Sequence, residues 1–169
     1  MRIGLGYDVH RLKVGYPLIL AGVKIPFAQG LVGHSDADVL THALLDALLG
    51  ALGEGDIGKH FPDTDPSLKG VSSLVLLKEV VKLVSRKGYV VINIDTVIIA
   101  QAPPLSPYYG AMQNKLASLL GIDASRVNIK ATTTEGLDFT GRGEGIAAQA
   151  VVLLRKNTPR PDTPQNEKK

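Results

Sequence analysis

Between Lys24 and Glu54 the chain carries neither lysine nor glutamate, yet His34, Asp36, Asp38, His42 and Asp46 crowd into positions 34 to 46. Val39, Leu40, Ala43, Leu44, Ala47 and Leu48 recur in the same stretch at helical spacing, which predicts a helix stopped by Gly53. Ser35 or Asp36 is expected to cap its start, accepting an amide hydrogen bond from the first turn. Asp38, His42 and Asp46 are four residues apart, so they stack along one side of that helix, and His34 continues the line. A solvated face normally carries Lys and Glu. Two histidines and three aspartates in their place read as a site.

The rest of that site is expected on the first strand, within Ile3–Leu12. Strand periodicity points Asp8 and His10 to one side and Val9 to the other. An Asp-x-His pair on a strand is a pincer for a metal ion, and His42 from the helix completes a set of three. Three protein ligands with one position left open is the pattern of a catalytic zinc site. Asp46 or Asp38 is expected to accept the second imidazole N–H of His42. The chain has no Cys, which removes disulfides, thiolate nucleophiles and Cys-zinc sites.

Residues 53–66 hold three Gly, two Pro and three Asp, and are expected to be irregular. Ile57 and Phe61 among so many hydrogen-bonding groups suggest a lid, with Asp56, Asp63 and Asp65 accepting sugar hydroxyls. Residues 72–87 predict an amphipathic packing helix, with Leu74, Leu77, Val80, Val81 and Val84 inward. A Val- and Ile-rich strand at 89–100 leads through a rigid Pro-rich loop to a helix near 108–120, ended by Gly121. A strand follows at 127–132. Residues 132–145, with Thr132, Thr133, Thr134, several Gly and Arg142, form a phosphate cradle or a Gly-rich hairpin. The last strand, 145–156, is apolar enough to be buried on both faces. Two extended stretches, near 3–12 and 17–27, complete the set, with turns at Gly15 and Gly22.

This order predicts an α+β fold: a mixed sheet of four to five strands with helices on one face. No helix remains for the other face, so self-association is expected to cover it. The 169 residues suit one domain, 1–156, followed by a Pro-containing, apolar-poor tail at 157–169 expected to be disordered. Basic residues are scattered and aromatics are only 5%, so no nucleic-acid partner is expected. No apolar run reaches membrane-spanning length and no secretory leader is evident, so no membrane partner and a cytoplasmic location are expected.

Five ordered motifs carry a resemblance. They are Gly6–His10; His34–Asp38 followed by His42; Gly55–Gly58 through Phe61–Asp65; Ala100–Pro103; and Ala131–Glu135 with Phe139–Gly145. Together they resemble the 2-C-methyl-D-erythritol 2,4-cyclodiphosphate synthase family over residues 1–156. The resemblance implies a homotrimer with active sites between subunits, which would pack the uncovered sheet face at the trimer axis. It also implies conversion of a CDP-linked methylerythritol phosphate to a cyclic diphosphate with release of CMP, in the non-mevalonate isoprenoid pathway.

By the same resemblance Asp8, His10 and His42 hold zinc (or Mn or Co), and Glu135 helps hold a second ion, Mg or Mn, at the diphosphate. His34 and Thr133 stabilise the transition state. Substrate contacts fall to Asp8, His10, His34, Ser35, Asp56, Ile57, Gly58, Phe61, Pro62, Asp63, Thr64, Asp65, Phe139 and Arg142. Ala100, Gln101, Ala102, Pro103, Pro104, Leu105 and Ser106, with Thr132, Thr133, Thr134 and Glu135, take the nucleotide. The chain departs from the family pattern at Pro104 and Ser106, at Gly136, which stands where a Lys is common, and at Gln149, which replaces a frequent Glu on the strand lining the trimer's central cavity. A fused cytidylyltransferase domain is not expected at this length. A metal-dependent phosphohydrolase acting on a nucleotide diphosphate is the alternative activity, and a nucleotide- or isoprenoid-binding trimer with a structural metal is the non-enzymatic one.

Overall fold

Gly4 and Gly6 decide how the first strand meets the first helix. In the computed structural model, which describes residues 1–157, strand β1 (Arg2–Val14) turns Gly4, Gly6, Asp8, His10 and Leu12 to one face. The hairpin of β2 (Leu18–Leu20) and β3 (Val23–Ile25) follows, then β4 (Gln29–Val32) and helix α1 (Val39–Leu52). A Cβ on Gly4 would stand 1.8 Å from the Ala47 carbonyl oxygen, and one on Gly6 would stand 1.9 Å from that of Ala43. Glycine on the strand and alanine on the helix therefore let the two backbones touch. This contact places His42, beside Ala43, within reach of Asp8 and His10.

The chain continues through α2 (Ile57–His60), α3 (Ser73–Arg86), β5 (Tyr89–Ile99), α4 (Tyr109–Leu120), β6 (Val127–Thr132), α5 (Asp138–Gly141) and β7 (Gly145–Lys156). Five strands form one sheet in the order β4-β1-β7-β5-β6. β7 runs antiparallel to β1 and β5, and β5 pairs β6 in parallel. The sheet is mixed, as expected, with α1, α3 and α4 on one face. In α1 every residue but His42, Asp46 and Gly50 is buried. Its polar edge thus looks into a cleft, while its apolar residues meet β1, β7 and α3. Among the described residues no helix is long and apolar enough to cross a membrane.

Several local expectations need correction. Asp38, not Ser35 or Asp36, caps α1, accepting from the Thr41 amide. The stretch 17–27 is a hairpin, turning at Ala21 and Gly22, and β4 was not foreseen. Residues 53–66 are not wholly irregular, since Asp56 caps the short helix α2. The Thr- and Gly-rich stretch 132–145 contains the short helix α5 and is not a hairpin. In β7 burial alternates: Ile146, Ala148, Ala150, Val152 and Leu154 are buried, whereas Gln149 and Val151 are exposed. Residues 158–169, most of the expected tail, lie outside the described residues.

The sheet's outer face is apolar and open in the single chain. Ile3, Leu5, Tyr7 and Val9 on β1 are 41–72% exposed, and Val151 on β7 is 43% exposed. Gln149 sits in that face between Tyr7 and Val97 on the neighbouring strands.

Candidate metal centre and active-site cleft

Asp8 Oδ2, His10 Nε2 and His42 Nδ1 form a triangle with every edge 3.0 Å. Each imidazole is oriented by its other nitrogen. His10 Nδ1 lies 3.0 Å from the Val32 carbonyl oxygen, which can only accept, so Nδ1 carries the proton and Nε2 presents a lone pair. His42 Nε2 lies 2.8 Å from Ser73 Oγ. That hydroxyl donates its one proton to Asp36 Oδ1, so it must accept from Nε2–H. Nδ1 of His42 is therefore also unprotonated.

Three acceptors meet, with no proton among the neutral tautomers to share. A cation resolves this. Donors 2.0–2.1 Å from a tetrahedral ion lie roughly 3.3 Å apart, close to the observed edges. The donor set suits a borderline metal such as zinc, and it is the one such cluster among the described residues. Without a metal, burial opposes ionisation of Asp8, but when the two rings are protonated the hydrogen bonds and charges of His10 and His42 outweigh it and hold the carboxyl well below its usual range. Burial likewise opposes charge on His10, yet the Asp8 carboxylate beside it prevails and its pKa is raised.

The two candidates for orienting His42 do other work. Asp38 is fully buried and accepts from the amides of Ala21, Gly22 and Thr41 and from the Thr41 hydroxyl. It ties the hairpin turn to the start of α1. Burial pushes its pKa up, and those donors pull against the rise. Asp46 Oδ1 accepts from the Ile57 amide at 2.7 Å, anchoring α2 to α1. Burial, with the nearby Asp56 and Asp8 charges, raises its pKa. The orienting group is instead Ser73 at the start of α3, itself held by Asp36 from the loop before α1.

The metal triangle forms the floor of a cleft of about 500 Å³. His34, Ser35, Ile57, Gly58, Phe61, Pro62, Asp63 and Thr64 line it, joined by Leu68 and Leu76. Gly33 leaves room for the His10 ring, whose Cε1 would lie 3.0 Å from a Cβ there. His34 Nε2 is 3.0 Å from the Asp65 carbonyl oxygen, tying it to the loop after α2. Asp56 and Asp65 lie outside the lining and act as caps, accepting from Lys59 and Ser67.

The nucleotide and second-metal groups lie elsewhere. Ala100–Ser106 leaves the end of β5 and Thr132–Glu135 the end of β6, joined where the Ala100 amide donates to the Thr132 carbonyl. Thr133 Oγ1 donates to Glu135 Oε1 at 2.7 Å, and Arg142 pairs with Glu144. Phe139 is the exception, since it lines a smaller hollow with Val9, His10, Arg11, Glu144 and Gly145, beside the metal ligands. Asp8, Ala148, Ile98 and Ala131 share one rung of the sheet. The two groups of residues thus sit at the same level but three strand spacings apart, roughly 14 Å.

The YgbB family model matches residues 1–155. The chain belongs to the YgbB family. This YgbB chain is 63% identical over 156 residues to a 2-C-methyl-D-erythritol 2,4-cyclodiphosphate synthase from Syntrophotalea carbinolica, covering 92% of this chain and 95% of that one. A solved 2C-methyl-D-erythritol-2,4-cyclodiphosphate synthase in a CDP-bound form matches with a TM-score of 0.84 and 42% identity, covering 91% of this chain and 100% of that one. The bifunctional IspDF of Campylobacter jejuni matches with a TM-score of 0.88 and 48% identity over 92% of this chain. The YgbB chain spans 42% of that longer protein.

Sequence reasoning missed Ser73 and the paired role of Gly4 and Gly6. The glycines had a signal, since Gly4, Gly6, Asp8 and His10 alternate along one strand face. Ser73 had none beyond its place at a helix start.

Proposed function

We propose that this chain converts 4-diphosphocytidyl-2-C-methyl-D-erythritol 2-phosphate to 2-C-methyl-D-erythritol 2,4-cyclodiphosphate and CMP. The observation that carries the reading is the triangle of unprotonated donors at Asp8, His10 and His42, opening into a cleft and joined to family membership.

The 2-phosphate of the substrate attacks the β-phosphorus as a new P–O bond forms. The bond from that phosphorus to the bridging oxygen breaks, and CMP leaves with the electron pair. No protein nucleophile is needed. A divalent ion at Asp8, His10 and His42, zinc by its donor set, neutralises phosphoryl charge when bound. Ser35, facing the cleft, donates to a phosphoryl oxygen, and His34 beside it contributes once its Nε2–H turns from the Asp65 carbonyl to the phosphate. Ile57, Phe61 and Pro62 cover the methylerythritol, and Asp63 binds its hydroxyls. Holding both ends of one bent molecule contributes up to about 7–11 kcal/mol in favourable cases.

Residues 1–156 form the catalytic unit, and it works as a homotrimer. Two observations support this: the open apolar stripe Ile3, Leu5, Tyr7 and Val9, and the sheet-wide gap between the metal ligands and Thr132–Glu135. A neighbouring subunit closes that gap, bringing Ala100–Ser106 to the cytosine and Glu135, with Mg or Mn, to the diphosphate. Thr132, Thr133, Thr134, Phe139 and Arg142 serve the phosphates.

Incubation of the full chain with the CDP-linked substrate tests the activity. Cyclic diphosphate and CMP are expected, lost with chelator and restored by zinc plus magnesium. An opened phosphate product would establish the phosphohydrolase instead.

A further inference from the structure

We propose that Ser73, locked by Asp36, is the positioning residue that sets the tautomer of His42 and so makes its Nδ1 a ligand atom. The inference rests on the metal-site reading and is independent of which phosphoryl chemistry follows.

Ser73 is fully buried at the first position of α3. The preceding residue, Ser72, makes no side-chain cap. Asp36 does that work from across the cleft, accepting from the Ser73 amide with Oδ2 at 3.1 Å and from the Ser73 hydroxyl with Oδ1. A hydroxyl has one proton. Once it is given to a carboxylate, the oxygen can only accept, and the group in front of it is His42 Nε2 at 2.8 Å. The order of donation is thus fixed from one end: His42 Nε2–H to Ser73, Ser73 to Asp36. A carboxylate has no proton to send back. Nδ1 of His42 is left as a lone pair pointing at Asp8 and His10.

Ser35 offers His42 Nε2 a second oxygen, at 3.0 Å, but without a lock. Its hydroxyl takes a long bond from the Ala37 amide, lies 3.4 Å from Ser73 Oγ and faces the cleft. The two serines therefore divide the work. Ser73 keeps the imidazole in register, and Ser35 is free to turn its hydroxyl to a phosphoryl oxygen without unhooking the metal ligand. Loss of Ser73 would shift both tasks to Ser35 and let the neutral ring populate the Nδ1–H tautomer, which cannot bind metal.

The test uses full-length wild type, Ser73→Ala and Ser35→Ala. Proton–nitrogen imidazole spectra of the zinc-free proteins at pH 8 report each tautomer, and calorimetric titration with zinc reports affinity. Wild-type His42 is expected as the Nε2–H tautomer. Ser73→Ala is expected to show a mixture and to lose ~10–100-fold in zinc affinity, and Ser35→Ala to lose less. The zinc-free melting temperature of Ser73→Ala is expected to stay near wild type, because its amide still caps α3 through Asp36. An Nδ1–H tautomer in the wild type, or zinc affinity unchanged in Ser73→Ala, would overturn the proposal. Should the wild type bind no zinc, the metal reading fails while the tautomer spectrum still decides the role of Ser73.

Discussion

The carbonyl oxygen of Ala43 lies 1.9 Å from where a Cβ on Gly6 would stand, so the two residues set the distance between α1 and β1. Ala43 follows His42 directly, and Gly6 precedes Asp8 by one strand repeat. One backbone contact therefore sets the size of the metal triangle. Gly6→Ala must push the helix away, at a cost of about 3 kcal/mol or more, and spread the ligands. Thermal unfolding and zinc titration of that variant check this. Wild-type zinc affinity in Gly6→Ala would show that the helix distance does not control the site.

His42→Ala removes one corner of the triangle and leaves α1 with a better helix former. Zinc binding and turnover are expected to be lost together. The metal-free fold should change by no more than ~1 kcal/mol, about 2–4 °C in melting temperature. Retained turnover would refute the ligand assignment.

Proton and metal compete at His10 with a sign that can be checked. Its folded pKa is raised, so it stabilises the metal-free protein below about pH 6.5, and that contribution fades as pH climbs through the folded value. Asp8, held low, contributes above the normal carboxylate range and loses its contribution only in stronger acid. Zinc needs the unprotonated ring, so its stabilisation runs the other way. The melting-temperature gap between zinc-loaded and zinc-free protein is expected to widen from pH 6 to pH 8. A gap independent of pH would mean that His10 is not a ligand.

The motif Asp8-x-His10 and the period of α1 were legible because strand and helix repeats leave a side chain little choice of face. The stop at Gly53 and the bounds of β6 and β7 were legible for the same local reasons. What held His42 was not. The search along its own helix face offered Asp38 and Asp46, whereas the structure uses Asp36 and Ser73, whose meeting depends on how α3 docks. Long-range hydrogen bonds of this kind leave no periodic trace. The strand β4 was too short and Gly-containing to register, and α2 and α5 are single turns inside Gly-rich sequence.

Asp46 holds the start of α2 by the Ile57 amide. Asp46→Ala leaves that N–H without its partner, an effect of about 1–3 kcal/mol. The expected result is a roughly 10-fold fall in kcat/KM, carried by KM, with zinc affinity unchanged. A loss of zinc affinity instead would make Asp46 part of the metal site.

Leu5 points outward between Ile3 and Tyr7, 67% exposed in the single chain. In the proposed trimer, Leu5→Asp would bury an unpaired carboxylate between subunits, at several kcal/mol per copy. Sedimentation is expected to show monomers without turnover that still bind one zinc each, because all three ligands come from one chain. An intact trimer in this variant would place the interface elsewhere.

The most direct measurement is zinc-edge X-ray absorption, with anomalous diffraction, on the zinc-loaded protein. One ion is expected between Asp8, His10 and His42, with two imidazole nitrogens and one carboxylate oxygen at about 2.0–2.1 Å and a water completing the shell. A fourth protein ligand in place of that water, or zinc bound away from these residues, would contradict the account.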